Sequence, residues 1–247
     1  MKKYLCLFDV HCPAHNKILM EKIFEMCVIN KFDGLVLGGD FADMFSLGSY
    51  NADSLGLLKE WDLTLEYEEC DKLLKLLLRA LGASCKEKYY LFGNHEDRYL
   101  RELRKGDRAK YGKELTSPTQ GLNLINKGFQ VFENWMEDEV KIGKLHIFHG
   151  YFTNEHVASK VLQTAHKNMM FGHTHRSNTS INGKYGVWNI ACLADIQNKL
   201  FGYMHPLQKT KWSNQFAVIN VYNETGDFIV EPITCWDNNF CYNGKIY

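Results

Sequence analysis

The sequence predicts an α/β fold in which two sheets pack together with helices on the outside. Three observations predict it. The first half alternates strand-like apolar runs with stretches of helical period, and the last third reads as hairpins. Two sheets covered by helices satisfy both patterns. Five of the apolar runs also stop on a residue able to bind a metal ion. Open α/β sheets place ligands just past the carboxyl ends of their strands, so these stops read as parts of one site.

In chain order, Tyr4-Leu5-Cys6-Leu7-Phe8 ends in Asp9-Val10-His11. Ala14 to Asn30 follows with apolar residues at helical spacing. Gly34-Leu35-Val36-Leu37-Gly38-Gly39 ends in Asp40. From Ser54 to Leu81 apolar positions again keep helical period, with Lys and Glu on the other face and Gly82 as the stop. They do not hold strict heptads, so this is a packing helix or helix pair rather than a zipper. The densest stretch is Tyr89-Tyr90-Leu91-Phe92-Gly93-Asn94-His95-Glu96-Asp97. Four apolar residues form a buried strand, a glycine breaks it, and an amide, an imidazole and two carboxylates follow. Arg98 to Lys113 is locally basic, with seven Lys or Arg. It reads first as a solvated helix and loop, and second as a lip meeting a phosphate-rich substrate.

Residues 129–150 read as strands, with Leu145-His146-Ile147-Phe148 ending in His149-Gly150. Asn154 to His166 reads as a helix, and Met169-Met170-Phe171-Gly172 ends in His173-Thr174-His175. Beyond His175 the pattern is all-β. Asn182-Gly183 turns one hairpin, and Glu224-Thr225-Gly226-Asp227 turns another between Phe216–Tyr222 and Phe228–Ile233. Of the remaining histidines, His146 reads as a core residue inside a strand, and His15 and His205 as loop residues.

At 247 residues the chain is at the upper end of one domain, so residues 1–247 are expected to form a single unit. Formal net charge is zero, which argues against a global electrostatic hold on nucleic acid or an anionic membrane, though not against a local patch. Only five apolar residues precede Asp9, too few for a signal-peptide core, and no run reaches membrane-spanning length. The eight cysteines are scattered and form no Cys-x-x-Cys pair. They read as reduced, buried thiols of a cytoplasmic protein, and the two Asn-x-Thr/Ser triplets as unmodified. Nothing in the sequence points to a protein partner. Cys-x₅-Arg, Gly-x₄-Gly-Lys-Ser/Thr and Gly-x-Ser-x-Gly patterns are all missing, which excludes three other hydrolytic designs.

The ligand-capable residues at the strand ends are Asp9, His11, Asp40, Asn94, His149, His173 and His175. Carboxylate, imidazole and amide oxygen together suit manganese, zinc, iron, cobalt or nickel better than calcium. Seven groups are too many for one ion and natural for two that share a carboxylate. Such a pair clamps a phosphoryl group and holds a hydroxide for in-line attack.

Asp9-x-His11, Gly39-Asp40, Gly93-Asn94-His95-Glu96, His149-Gly150 and Gly172-His173-Thr174-His175 resemble, in order, the motifs of the calcineurin-like metallophosphoesterase superfamily. The resemblance spans residues 9–175. It implies a four-layer α/β/β/α sandwich of two mixed sheets with flanking helices and a two-metal centre between the sheet tops. By the same resemblance Asp9, His11 and His175 hold one ion, Asn94, His149 and His173 the other, and Asp40 bridges them. His95 is then no ligand but the catalytic group that stabilises transition-state charge and protonates the leaving oxygen.

Departures from subfamily patterns narrow the substrate. Protein phosphatases of the superfamily extend the second motif to Gly-Asp-x-x-Asp-Arg-Gly, whereas here Asp43 is followed by Met44. Arg98 or Arg101 is the candidate replacement for the missing phosphate-binding guanidinium. Family nucleases have Asp where Glu96 stands and carry further domains, while small stand-alone relatives, some phage-encoded, share the Gly-Asn-His-Glu-Asp-Arg look of residues 93–98. The expectation is a hydrolase with two divalent ions, manganese first, acting on a phosphate ester. The basic stretch beside the site favours a phosphodiester of nucleic acid or nucleotide. A phosphomonoesterase on nucleotides or phosphoproteins is the alternative, and a non-catalytic phosphate-binding regulatory module is the alternative of another class.

Overall fold

The computed structural model describes residues 1–48, 62–105 and 115–247. The first strand, β1 (Lys2–Leu7), carries the chain into Asp9. It alternates faces: Leu5 and Leu7 join one core cluster, Tyr4, Cys6 and Phe8 another. That period of two is what a strand buried on both faces requires. Helix α1 (Lys17–Ile29) starts later than the apolar spacing suggested, because Asn16 takes the N-cap and its side chain accepts the Leu19 N–H at 3.1 Å. Strand β2 (Gly34–Gly38) then pairs parallel with β1.

Helix α2 (Leu63–Leu81) is capped by Asp62, buries Tyr67, Cys70, Leu73, Leu74, Leu77 and Leu81, and stops at Gly82, whose φ of 65° suits glycine. The expected helical pattern upstream of it, residues 54–61, lies outside the described residues. Strand β3 (Glu87–Leu91) pairs parallel with β2, and helix α3 (Asp97–Lys105) leaves the site directly. Residues 106–113 of the basic stretch also lie outside the described residues. A short helix, α4 (Pro118–Gly121), leads to β4 (Gln130–Phe132).

The second sheet begins with β5 (Val140–Ile142) and β6 (Leu145–Ile147). Helix α5 (Val157–Ala165) crosses to β7 (Asn168–Phe171), which is parallel to β6. The hairpin of β8 (Asn178–Ile181) and β9 (Gly186–Asn189) completes it. Its loop spans residues 182–185, not a bare Asn-Gly pair, since Asn182 Oδ1 accepts the N–H groups of Lys184 and Tyr185. The region after His175 is not purely β. Helix α6 (Pro206–Lys209) forms there, its first turn fixed by Pro206 and by His205 Nδ1 accepting the Leu207 N–H. The chain then returns to the first sheet through β10 (Asn214–Val221) and β11 (Phe228–Cys235), and ends in a small hairpin, β12 (Cys241–Tyr242) with β13 (Lys245–Ile246). Asn243-Gly244 was its unread signal.

Two mixed sheets result among the described residues, in the orders β11-β10-β1-β2-β3-β4 and β5-β6-β7-β9-β8. Between them lie Cys6, Phe8, Val36, Ile147, Met170 and Ile219. Helices α1 and α2 cover the outer face of the first sheet with Leu5, Leu35 and Leu37, and α5 covers the second with Met169, Phe171 and Val187. This is the expected α/β arrangement of two mixed sheets with flanking helices. The cysteines are all free, but Cys241 is exposed rather than buried. His146 is not in the core: it is half-buried on the sheet and pairs with Glu139 at 2.6 Å. His15 is buried although it lies in a loop. No helix among the described residues is long and apolar enough to cross a membrane.

Candidate metal centre

The ends of β1, β2, β3, β6 and β7 meet at one place, and the loops leaving them are tied together. Asp9 N–H donates to Gly39 O and His11 N–H to Asp40 O, so the loops after β1 and β2 run in register past the sheet. Gly172 N–H donates to His149 O in the second sheet. Asp9, His11, Asp40, His173 and His175 all have φ between 49° and 70°. Left-handed non-glycine residues are uncommon and cluster at functional sites, where the surrounding structure holds them. Two glycines permit the close approach: a Cβ at Gly93 would collide with the Asp40 carboxylate, and one at Gly172 with that of Asp9.

The seven residues converge in two groups. In the first, His11 Nε2 and His175 Nε2 are 2.9 Å apart, and Asp9 Oδ1 is 3.1 Å from His175 Nε2 and 3.8 Å from His11 Nε2. Among the described residues the buried Asp9 Oδ1 has no partner beyond the His175 ring at 3.1 Å. A carboxylate oxygen so buried is costly unless a cation meets it. In the second group His149 Nε2 is 3.4 Å from Asp40 Oδ2 and 3.1 Å from Asn94 Oδ1, which is itself 2.8 Å from His173 Nδ1. Asp40 Oδ2 also stands 3.8 Å from His11 Nε2, so it lies between the groups. Asp9, His11 and His175, and separately Asp40, His149 and His173, could each hold a metal ion. Donor type, burial and the Asp9 oxygen all fit one.

The supports are as ordered as the donors. His11 Nδ1 meets Asp43 Oδ2 at 2.9 Å and His149 Nδ1 meets Gly38 O at 3.1 Å, which turns each Nε2 inward. Fully buried Glu96 accepts the N–H groups of Asp40, Ala42 and Gly93 and the Tyr90 hydroxyl, bolting the β2 and β3 loops together. Buried Glu66 of α2 accepts the N–H groups of Phe45 and Ser46, both at 2.7 Å, and so steadies the loop that carries Asp43. His95 N–H donates to Asp40 Oδ1 at 2.8 Å. Its Nδ1–H donates to Asp43 O at 2.7 Å, and its Nε2 accepts from Arg98 Nη2 at 3.1 Å. Arg98 Nη1 also donates to Asp43 O at 2.9 Å. Arg101 pairs with Asp97 at 2.7 Å and donates to Asn94 O at 3.1 Å.

Charge within the site is strongly coupled. Burial pushes the Asp40 carboxyl up, but the imidazoles of His149, His95 and His11 outweigh it and hold it well below the usual range. Burial pulls His149 down, yet Asp40 overrides this and raises its pKa to about 9. His173 is pulled down to about 4, by burial first and then by His149. A proton on His149 Nε2 and an ion on the same atom exclude each other. Ion uptake at pH 7 should therefore release about one proton from this group. Calorimetry in two buffers of different ionisation enthalpy checks it, and a buffer-independent heat would contradict the raised pKa. In the metal-free chain the protonated His149 stabilises the fold below the ordinary histidine pKa of about 6.5, and this stabilisation is lost as pH rises towards 9.

No family model matches the chain, and no curated protein matches it. Three of the solved structures to which it is similar are wild-type Vps29 of Entamoeba histolytica complexed with Zn²⁺, an archaeal phosphodiesterase, and vacuolar protein sorting 29 of Cryptosporidium parvum. Identities are 12%, 15% and 13%, and TM-scores 0.49, 0.45 and 0.45. The alignments cover 99%, 93% and 100% of this chain and 96%, 99% and 94% of the others. Those structures have the metallophosphoesterase fold. At such identities and scores the likeness says nothing of activity.

Several neighbours of the site were not legible as such. Asp43, a motif residue, also supports His11 and faces His95 at 3.4 Å. Trp135 lies against His149 and His173, with ring centroids 6.2 and 6.1 Å apart, and Trp212 against His175 at 4.1 Å. Arg176, next to His175, lines the same cleft. Of these four, Asp43 stands in a motif and Arg176 adjoins one, but neither tryptophan has a spacing that marks it.

Proposed function

We propose that the chain is a metal-dependent phosphoesterase, with a preference for phosphodiesters of nucleic acid or nucleotide. The observation that supports the reading is the position of one buried carboxylate, Asp40, between two His-rich groups. Asp9, His11 and His175 would hold one divalent ion, Asn94, His149 and His173 a second, and Asp40 both. Bound ions would supply Lewis acidity at the phosphoryl oxygens and a water acidic enough to act at neutral pH.

The chain's own residues do the rest. His95 faces the site with Nε2, 3.8 Å from Asp40 Oδ2. Burial and Arg98 both lower its basicity, but Asp40 and Asp43 raise it above the ordinary value, which favours a ring able to give a proton to the leaving oxygen. Phosphoryl oxygens that draw the Arg98 guanidinium towards themselves free Nε2 for that proton. Asp43 keeps the ring in place throughout. Arg98, Arg101 and Arg104 follow one another at steps of three along α3, on the side of the chain that leaves the site.

The test is an assay with Mn²⁺ on bis-aryl and mono-aryl phosphates. Hydrolysis of the bis-aryl ester in preference supports the diesterase reading, preference for the mono-aryl ester makes the chain a monoesterase, and activity on neither sinks the reading. Replacing Arg98, Arg101 and Arg104 together by Gln should raise KM for phosphate-rich substrates by about tenfold or more, since charge-assisted contacts to phosphate would be lost. Unaltered kinetics would remove the phosphate-binding role of these three arginines.

A further inference from the structure

Beside His173 a groove of ≈ 480 Å³ runs between α3 and the loop joining β4 to β5, lined by Arg101, Arg104, Asn134 and Trp135 together with the carboxylates of Asp97 and Glu133. Trp135 is only half-buried. Its loop is braced from within, Asn134 N–H donating to Asp138 Oδ2 at 2.9 Å and Glu137 N–H to Asn134 O at 3.1 Å. The indole is thus held against the His149 and His173 rings while remaining open to the groove. A tryptophan serving only to shield two imidazoles needs no guanidinium beside it, and here Arg104 is exposed in the same groove and Arg101, though paired with Asp97, is exposed there too.

The other flank repeats the combination. A cleft of ≈ 420 Å³ runs past His11 and His175, with Trp212 against His175 and Arg176 on its wall. The Arg176 Nε is buried and has no hydrogen-bond partner among the described residues. An aromatic face and a guanidinium therefore stand on each side of the two ligand groups. A monoester occupies one side of its phosphorus, while a diester with bulky planar substituents needs both.

We propose that the Trp135 groove is a nucleobase subsite for single-stranded nucleic acid, the indole stacking a base and Arg101 and Arg104 meeting the strand's phosphates. Every base has a π face, so such a platform binds without sequence preference, and a duplex hides the faces it needs. Tryptophan with arginine is the pairing that serves this chemistry, because guanidinium both meets phosphate and tolerates a neighbouring ring. The inference rests on the phosphoesterase reading for its orientation, since it is the scissile phosphate at the two groups that sends the strand into the groove.

Binding is read by fluorescence anisotropy of a labelled short oligothymidylate, made like its comparison strands with phosphorothioate linkages that resist cleavage, using the full chain with Mn²⁺. An abasic strand of the same length carries the same phosphates without bases, and a duplex of equal length carries its bases paired. The expected result is a preference of about tenfold or more for the oligothymidylate over both. Trp135→Ala should abolish that preference and Trp135→Phe should keep most of it. Equal affinity for the base-bearing and abasic strands overturns the proposal, as does a preference that survives Trp135→Ala. Should Trp135→Ala fail to fold by circular dichroism, the wild-type comparison of strands and the Trp135→Phe protein decide the matter. The two readings fail separately. Hydrolysis of bis(p-nitrophenyl) phosphate with Mn²⁺ but no base preference removes the subsite and keeps the phosphoesterase. Base preference without hydrolysis of any phosphate ester does the reverse.

Discussion

Asp40→Asn is expected to weaken both ions together, by more than about 100-fold in affinity, the upper end of what loss of a supporting contact alone does. Asp40 Oδ2 stands within 3.4 Å of His149 Nε2 and 3.8 Å of His11 Nε2, so one oxygen lies between the two groups. An amide of the same shape removes the negative charge that draws two cations together and leaves five histidines crowded without it. The same substitution takes away the main influence that raises His149, so proton release on metal uptake at pH 7 should disappear with it. Elemental analysis after dialysis, with calorimetry on the chelated protein, reads both effects. Unchanged metal content and activity would refute the bridging role, whereas loss of a single equivalent would assign Asp40 to one group alone.

His95→Ala is expected to leave metal content intact while turnover falls by about 100-fold or more, the scale of general-acid loss. The side chain makes its closest contacts to Asp43 O and Arg98, and the bond that positions Asp40 comes from the His95 backbone N–H, which alanine retains. The decisive contrast is between leaving groups. Esters whose leaving group departs unaided, such as p-nitrophenolate, should suffer less than those with an alkoxide leaving group. Metal lost along with activity would mean that His95 is a ligand and that the third cluster, His11 with Asp43 and His95, binds an ion instead. An equal loss on both kinds of ester would point to positioning rather than proton transfer.

Most of the site was legible because each part is local. A buried strand announces itself by an uninterrupted apolar run, and the residue after it must sit at the sheet end, whichever sheet that is. Asp9, Asp40, Asn94, His149 and His173 were found that way. The helix periods of α1 and α2 were legible for the same reason, while their starts were set by single side chains, Asn16 and Asp62, that periodicity does not weigh. The helix at Pro206 and the terminal hairpin were missed because each is too short to show a period.

What lies between the motifs needed three dimensions. Trp135 and Trp212 come from loops 77 residues apart in the chain, at 135 and 212, and nothing near either records that both will face histidines. Glu66 sits in a helix where it looks like solvent face, as Glu68 and Glu69 do, yet it is buried and holds the Phe45–Ser46 backbone.

The amino-acid order by itself determined which side chains end the strands, hence the kind of ion they suit and the α/β class. Residue types and spacing did not divide those ends into an Asp9–His11–His175 group and an Asp40–His149–His173 group with one oxygen between them; only the family resemblance implied such a division. That partition follows from strand order and from the packing of one sheet on the other, which bring residues 9 and 175, or 40 and 149, within a few ångströms. Local pattern costs only the conformational freedom of neighbouring residues, whereas the grouping comes into being only when two apolar faces far apart in sequence are buried against each other.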